Sequence, residues 1–312
     1  MSITSVSPPL FAAACVVAAM AILGMTDNMV VMVADEAGLW QFHAVRALMG
    51  LPIILIAARV SKARLWPVNL RAVVMRSLLV SASMFFYFGA LAFIPVAQSA
   101  AGLFTAPIFV LLISFVVYGQ KVSLFSILVV IVGFSGVMLV LQPDIGNLSL
   151  ALLMPLISGI LYALSAIATR RYCADEGALT LLVWFFMAMV LWGLGGCIVL
   201  FIMQPDIPLG SAGFLLRGWT PVSATWYGLI AIQALGAVIG VGLIFRAYLM
   251  AEASFVSVFE YSMLIFAAFW GWLMWGQTMN ALAFVGIILI IIAGSILARG
   301  ERAPRGGGGI AP

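Results

Sequence analysis

The sequence predicts an all-α integral membrane protein with ten transmembrane helices arranged as two inverted five-helix repeats. Three observations predict this fold: the composition, the number of long apolar segments and a pair of internal sequence echoes. Of the 312 residues, 65% are hydrophobic and 8% are charged, and the mean hydropathy is +1.25. Nearly every segment must therefore be buried on all sides, which requires a lipid bilayer for a chain of this size.

The apolar segments are long enough to cross the hydrocarbon core, which takes about 20 residues of helix. The first, from Leu10 to Val33, lacks the basic flank and the small-residue cleavage site of a secretory signal, so we expect it to be retained as a helix. The distribution of hydropathy predicts ten spans: residues 9–33, 38–58, 70–93, 96–118, 123–142, 148–169, 178–203, 222–250, 253–275 and 279–298.

Two short stretches of the first half return in the second. Residues 34–39, Ala-Asp-Glu-Ala-Gly-Leu, return as residues 174–179, Ala-Asp-Glu-Gly-Ala-Leu, and the turn Tyr-Gly-Gln at 118–120 returns as Trp-Gly-Gln at 275–277. Each pair lies between apolar segments of the same order, which is typical of a transporter that arose by duplication. We therefore predict a first repeat over residues 1–145, a second over residues 146–298, and a disordered cytoplasmic tail over residues 299–312.

The distribution of positive charge predicts the orientation. With both termini in the cytoplasm, the outer connections contain only Arg217, because all the other loop arginines and lysines fall on the cytoplasmic side. These are Arg59, Lys62, Arg64, Arg71, Lys121, Arg170, Arg171, Arg299, Arg302 and Arg305. Since five is an odd number of crossings, the second repeat must enter the membrane from the opposite side to the first.

Several of these features together resemble a known family. The five-plus-five helices, the short connections, an arginine in the second span (Arg46), a proline in the fourth (Pro107) and the two aromatic-Gly-Gln turns resemble the drug/metabolite transporter superfamily with EamA-type repeats. The resemblance covers residues 10–298 and departs from the family where Gln120 and Gln277 replace a frequent glutamate. More narrowly, the whole-chain pattern is similar to the YddG-type exporters of aromatic amino acids.

The resemblance implies a function, a mechanism and a location. It implies a secondary transporter of the bacterial inner (plasma) membrane. Such a protein exports hydrophobic or aromatic amino acids, or related small metabolites, by alternating access through a central cavity.

Ionisable residues inside the spans are candidates for gating or ion pairing, because a charge near the bilayer centre is costly and normally faces a partner or a cavity. They are Asp27, His43, Arg46, Arg76, Arg246 and Glu260. Asp27 and Arg46 flank the first turn at similar depth and can pair across the hairpin, with His43 one helical turn from Arg46. This pair either fixes helix packing or acts as a gate or proton-linked group. Glu260, roughly 10 Å inside its span, is either a structural ion-pair partner or part of a gate.

Polar and aromatic side chains within the spans are candidates for substrate binding, because they offer hydrogen bonds and ring faces to an amphipathic solute. The best placed are Tyr87, Tyr162 and Gln98. The remaining candidates are Ser83, Phe104, Asn28, Gln233 and Tyr261. This mixture favours neutral or zwitterionic solutes, such as aromatic amino acids.

Motifs for catalysis and for ATP hydrolysis are absent from the sequence, which has no phosphate-binding loop, no His-Glu-x-x-His helix and no Gly-x-Ser-x-Gly turn. Cys15, Cys173 and Cys197 have no ligand spacing. We therefore expect no enzyme activity, cofactor, metal or nucleic-acid partner, and expect only a small-molecule substrate and membrane lipid as partners. A passive channel, an exporter of nucleosides or cationic drugs, and a membrane-embedded enzyme or scaffold stay open as alternatives.

Overall fold

The protein is helical throughout the part that can be described. In the computed structural model this part comprises residues 8–117, 124–142, 150–250 and 259–300, and it contains no strand. The all-α class is therefore confirmed. The turn at 118–120 and residues 301–312 of the predicted tail lie outside the described residues, while residues 299 and 300 of that tail belong to the last helix.

Within the described residues the helices form ten spans, which we number 1 to 10 along the chain. They are Pro8–Asn28 continued by Val30–Val33, Leu39–Ser61, Leu70–Ala90, Val96–Leu103 with Ala106–Val116, Leu124–Leu141, Leu150–Tyr172, Ala178–Met203, Ala224–Met250, Ser262–Trp275 and Ala281–Gly300. Spans 1, 2, 3, 7 and 8 are long and apolar enough to cross a bilayer unaided, and shorter apolar helices lie in spans 5, 6, 9 and 10. The protein is thus an integral membrane protein.

Spans 4 and 9 are interrupted at equivalent positions. Span 4 breaks at Phe104 and Thr105, where the Thr105 amide and hydroxyl both donate to the Gly102 carbonyl. A turn at Tyr261 precedes the regular part of span 9. Pro107 lies in the first turn after the span 4 break, where its missing N–H costs least. Phe104 and Tyr261 each lie 14 residues before the aromatic residue of their echo turn, so the two interruptions correspond in the two repeats.

The packing of the spans is symmetric. Span 1 packs on spans 8 and 9, and span 6 packs on spans 3 and 4. Span 2 packs on spans 7 and 8, span 7 on spans 2 and 3, span 4 on span 9, and span 5 on span 10. Exchanging the two halves, so that span 1 becomes span 6 and so on, leaves these neighbours unchanged. This symmetry supports two five-helix repeats, and the boundary near residue 145 is our proposal.

The connections lie on two sides of the helical bundle. Residues 34–38, 91–95, 204–223 and 276–280 connect spans on one side, which we call the 204–223 side. This side includes a short 3-10 turn, Gly210–Phe214. Residues 62–69 and 173–177 connect spans on the other, which we call the 62–69 side.

Candidate solute pathway

A buried carboxylate in span 1 is hydrogen-bonded to span 3. The Tyr87 hydroxyl donates to Asp27 Oδ2 at 2.9 Å, and both residues are at most 7% exposed. The Ser99 hydroxyl of span 4 donates to the Tyr87 carbonyl at 3.0 Å. Three spans are thereby tied together around Asp27.

The predicted partner of Asp27 is held by a different set of groups. Arg46 Nη2 lies 3.1 Å from His43 Nδ1, and the guanidinium lies over the rings of Phe42 and Phe88, at 4.8 and 4.3 Å. Such contacts stabilise a cation in an apolar setting. Asp27 and Arg46 are both buried, while the hydrogen bond of the Asp27 carboxylate comes from Tyr87. Their pairing as a gate stays a prediction.

A second group of ionisable residues lies toward the 62–69 side. Arg76 in span 3 donates from Nε to the Thr169 hydroxyl at 3.0 Å and from Nη1 to the Leu181 carbonyl at 3.4 Å, which connects spans 3, 6 and 7. Tyr162 lies within reach of the charges of Arg76 and Glu260. Glu260 is half-buried. Arg246 is exposed on span 8, as expected of a cation that extends toward the interface.

The two helix interruptions meet. The rings of Phe104 and Tyr261 lie with their centroids 5.5 Å apart, and Tyr261 is 5% exposed. Interrupted helices are tolerated in a membrane where they line a cavity or are buried in protein, and in transporters they form the substrate site near the midplane. The contact between the two interruptions therefore brings together two candidate substrate residues, Phe104 and Tyr261. No single sequence motif predicts this contact.

The other substrate candidates differ in how their polar atoms are used. The Ser83 and Ser158 hydroxyls donate to each other's carbonyls at 2.9 Å. Asn28 donates to the Gly24 and Ala267 carbonyls at 2.8 and 3.1 Å. Gln233 is 1% exposed, and neither its nitrogen nor its oxygen has a hydrogen-bond partner among the described residues. An unpaired buried amide is costly, so Gln233 is available to a solute or to water.

Sequence reasoning missed two carboxylates that belong to the echo itself. Glu36 accepts hydrogen bonds from the Ser223 backbone amide at 2.8 Å and from the Ser223 hydroxyl at 3.0 Å. Glu176, the equivalent residue of the second repeat, accepts one from the Asn69 backbone amide at 2.8 Å. Ser223 and Asn69 cap the starts of spans 8 and 3. The sequence repeat therefore encodes the same contact on opposite sides, and in each case the contact joins the two halves.

Arg217 is the other residue whose structural role the sequence reasoning missed. Its guanidinium donates to the carbonyls of Ala34 at 2.7 Å, Ala37 at 3.4 Å and Gly210 at 3.3 Å. In the sequence, Arg217 contributes only to the charge asymmetry that predicts the orientation. In the structure its hydrogen bonds hold the long 204–223 connection against the first hairpin.

Comparisons with known proteins show a family similarity for the first part of the chain and a likeness of fold for most of it. Residues 10–142 match the EamA-like transporter family. A solved crystal structure superposes with a TM-score of 0.62 over 93% of this chain and 99% of that one, at 15% identity, which is a likeness of fold.

Curated relatives have related names. The pseudopaline exporter CntI of Pseudomonas aeruginosa (strain UCBPP-PA14) is 26% identical over 219 residues, which is 69% of this chain and 70% of that protein. The riboflavin transporter of Rhizobium johnstonii is 27% identical over 211 residues, 68% of this chain and 64% of that protein. That of Vibrio cholerae is 24% identical over 211 residues, again 64% of the relative. These relatives are named as transporters and exporters, and residues 10–142 of this chain are similar to the EamA-like transporter family.

Proposed function

We propose that the protein is a secondary carrier that exports amphipathic, neutral or zwitterionic metabolites through a pathway between its two halves. The observation that carries the proposal is Gln233, a buried amide with no partner among the described residues. Phe104 and Tyr261, which meet where spans 4 and 9 are interrupted, add ring faces. An amide and aromatic rings suit a solute with a polar group and a flat apolar part.

Aromatic amino acids are the first substrates to test, since the sequence pattern is similar to their exporters. The relatives named for pseudopaline and riboflavin widen the set. We place both termini in the cytoplasm of a bacterial inner membrane, because the loop charges are asymmetric. Export then runs from the 62–69 side to the 204–223 side.

Transport in proteoliposomes tests the proposal. The solutes are tryptophan, phenylalanine, riboflavin, uridine and tetraphenylphosphonium, which represent the proposed class and its alternatives. We expect saturable uptake with counterflow for at least one of the first three. Linear flux without counterflow indicates a passive channel, and transport of uridine or tetraphenylphosphonium alone indicates one of the other solute classes.

A pair of glutamine variants separates solute contact from packing. Gln233→Leu should lower transport and leave the thermal stability equal or higher, because an unpaired buried amide is removed. Gln41→Leu is the matched control: Gln41 is also fully buried, but its side chain exchanges two hydrogen bonds with the backbone of Thr220, at 2.9 and 3.0 Å. It should lower stability instead. Unchanged transport in folded Gln233→Leu contradicts the placement of the solute.

We further propose that the Asp27 and Glu260 groups act as gates on opposite sides of the solute. A double-mutant cycle with Asp27→Asn and Arg46→Gln should show that removing both charges costs less than the sum of the single changes, because one orphaned charge is worse than none. Glu260→Gln should speed the labelling of cysteines placed along the 62–69 side, because it weakens the closure of that side. Additive effects in the cycle, together with unchanged labelling, would reduce both groups to packing residues.

A further inference from the structure

A small cavity opens on the 204–223 side, and the substrate candidate Gln98 is among its lining residues. It has a volume of about 110 Å³ and lies between the start of span 4, the end of span 5, the middle of span 9, the 276–280 connection and the start of span 10. Among the described residues, no charged side chain lines it. Its polar lining residues are Gln98, Gln142, Gln277, Thr278 and Asn280. An apolar cavity of about 150 Å³ is able to take up benzene, so this one has room for a smaller polar group.

Two of the four amides are free to bind a ligand. Gln142 and Asn280 use theirs on each other, with both nitrogen-to-oxygen distances at 2.7 Å. Gln98 and Gln277 are half-buried, and within the described residues neither side chain makes a hydrogen bond. A carboxamide offers two donor hydrogens and one acceptor oxygen without net charge. The free amides therefore complement hydroxyl or amide groups.

The polar lining continues inward to span 1. Ala267, which lines the cavity, accepts the hydrogen bond from Asn28 through its carbonyl. Asn28 Oδ1 and Gln277 Oε1 both approach Gly271, at 3.3 and 2.9 Å from where a Cβ would lie. Asn28 is 1% exposed. It follows Asp27 in span 1 and is therefore slightly nearer to the 204–223 side. The cavity thus adjoins the buried polar residues of span 1.

We propose that the cavity between Gln98 and Gln277 is a solute subsite on the 204–223 side that takes a neutral hydroxyl- or carboxamide-bearing group. The inference rests on the proposed carrier function, because it places a solute at this end of the pathway. It adds a position where a neutral polar head group binds before the solute leaves.

Cysteine labelling tests the subsite without knowledge of the transported solute. Thr278→Cys places a thiol in the lining, and Leu209→Cys, at a residue 96% exposed on the same side, provides the reference. Purified protein in nanodiscs reacts with three thiosulfonates that carry a carbamoyl, a trimethylammonium or a sulfonate head. The parent protein, whose cysteines are buried, gives the background.

We expect the carbamoyl reagent to modify Thr278→Cys roughly three- to tenfold faster than either charged reagent, each rate taken relative to Leu209→Cys, as one or two hydrogen bonds predict. Adding Gln98→Leu and Gln277→Leu should abolish this preference. If that variant does not fold, Gln98→Ala alone should reduce the preference. Equal relative rates, or a lead for a charged reagent, overturn the subsite.

The same proteins separate this inference from the carrier proposal. A carbamoyl preference in a protein that transports none of the tested solutes retains the subsite and counts against the carrier. Normal saturable transport without the preference retains the carrier and removes the subsite.

Discussion

The two sides of the molecule carry the same contact, but the described residues around it make different numbers of hydrogen bonds. On the 204–223 side Glu36 binds Ser223, and we call this contact the Glu36 clamp. Gln41, Arg217 and Trp40 add hydrogen bonds between the first hairpin and the long connection. On the 62–69 side Glu176 binds Asn69, and we call this contact the Glu176 clamp. Thr180 and Trp184 donate there to the Arg64 and Leu65 carbonyls, at 2.6 and 3.2 Å. Among the described residues, the contact on the 204–223 side is therefore supported by more hydrogen bonds.

The difference follows from the lengths of the connections. The Glu36 clamp includes the 204–223 connection, whose buried Phe214 faces Phe42 with ring centroids 6.3 Å apart. The corresponding connection of the first repeat is residues 62–69, which is too short to form such a cover. A cavity of about 460 Å³ lies beside the Glu176 clamp, lined in part by Arg64 and Asp175.

The largest expected effect comes from a glycine pair at the starts of spans 2 and 7. A Cβ at Gly38 would overlap the carbonyl oxygen of Arg217, whereas at Gly177 the nearest contact is Thr180 Oγ1 at 3.3 Å. Gly38→Ala should therefore destabilise the protein by about 3 kcal/mol or more, because backbone must move. Gly177→Ala should stay within about 0.5 kcal/mol. Thermal unfolding of the purified variants measures both, and equal losses contradict the asymmetry.

Arg217→Gln should have the next largest effect. It removes the charged donor to Ala34 and Ala37, and hydrogen bonds to charged groups contribute roughly 1.5–3 kcal/mol. Amide hydrogen exchange over residues 204–223 should accelerate about 10- to 100-fold. Arg64→Gln is the control, since the side-chain hydrogen bond of Arg64 stays within its own loop, to the Pro67 carbonyl at 3.5 Å. Unchanged exchange in Arg217→Gln means that other contacts hold the cover.

Much of this fold follows from the sequence because a bilayer allows few alternatives. Backbone groups in lipid must pair within the segment, so ten long apolar segments become ten helices. The interruption at Phe104 was harder to predict. Pro107 by itself does not predict where the helix breaks. At the break, the Thr105 hydroxyl donates a hydrogen bond back to the Gly102 carbonyl. A hydrogen bond between a side chain and a helix carbonyl cannot be predicted from hydropathy.

The candidate residues were predictable by type and depth, but their partners were not. Asp27 and Arg46 are both buried, as their positions in the first hairpin indicated. Which side chain reaches Asp27 depends on how span 3 packs, and it is Tyr87 that does so. The echo at Glu36 and Glu176 was visible in the sequence, but its role depends on partners 187 and 107 positions away, which only the folded chain brings close.

The smallest expected effect is also the most informative about mechanism. Glu36→Ala removes two hydrogen bonds and Glu176→Ala one. Because these contacts are at least partly exposed, we expect losses of only about 1 and about 0.5 kcal/mol. Two independent clamps on opposite sides should give additive losses in the double variant.

Hydrogen exchange on both sides adds the decisive measurement. If the halves rock between two closed ends, weakening one clamp favours the state in which that side is open and the other is closed. Glu176→Ala should then accelerate exchange at residues 62–69 and slow it at residues 204–223, with Glu36→Ala giving the reverse. A channel with both ends free to move independently should show only the local acceleration. Slower exchange on the distant side therefore distinguishes a carrier from a pore with a change of a single carboxylate.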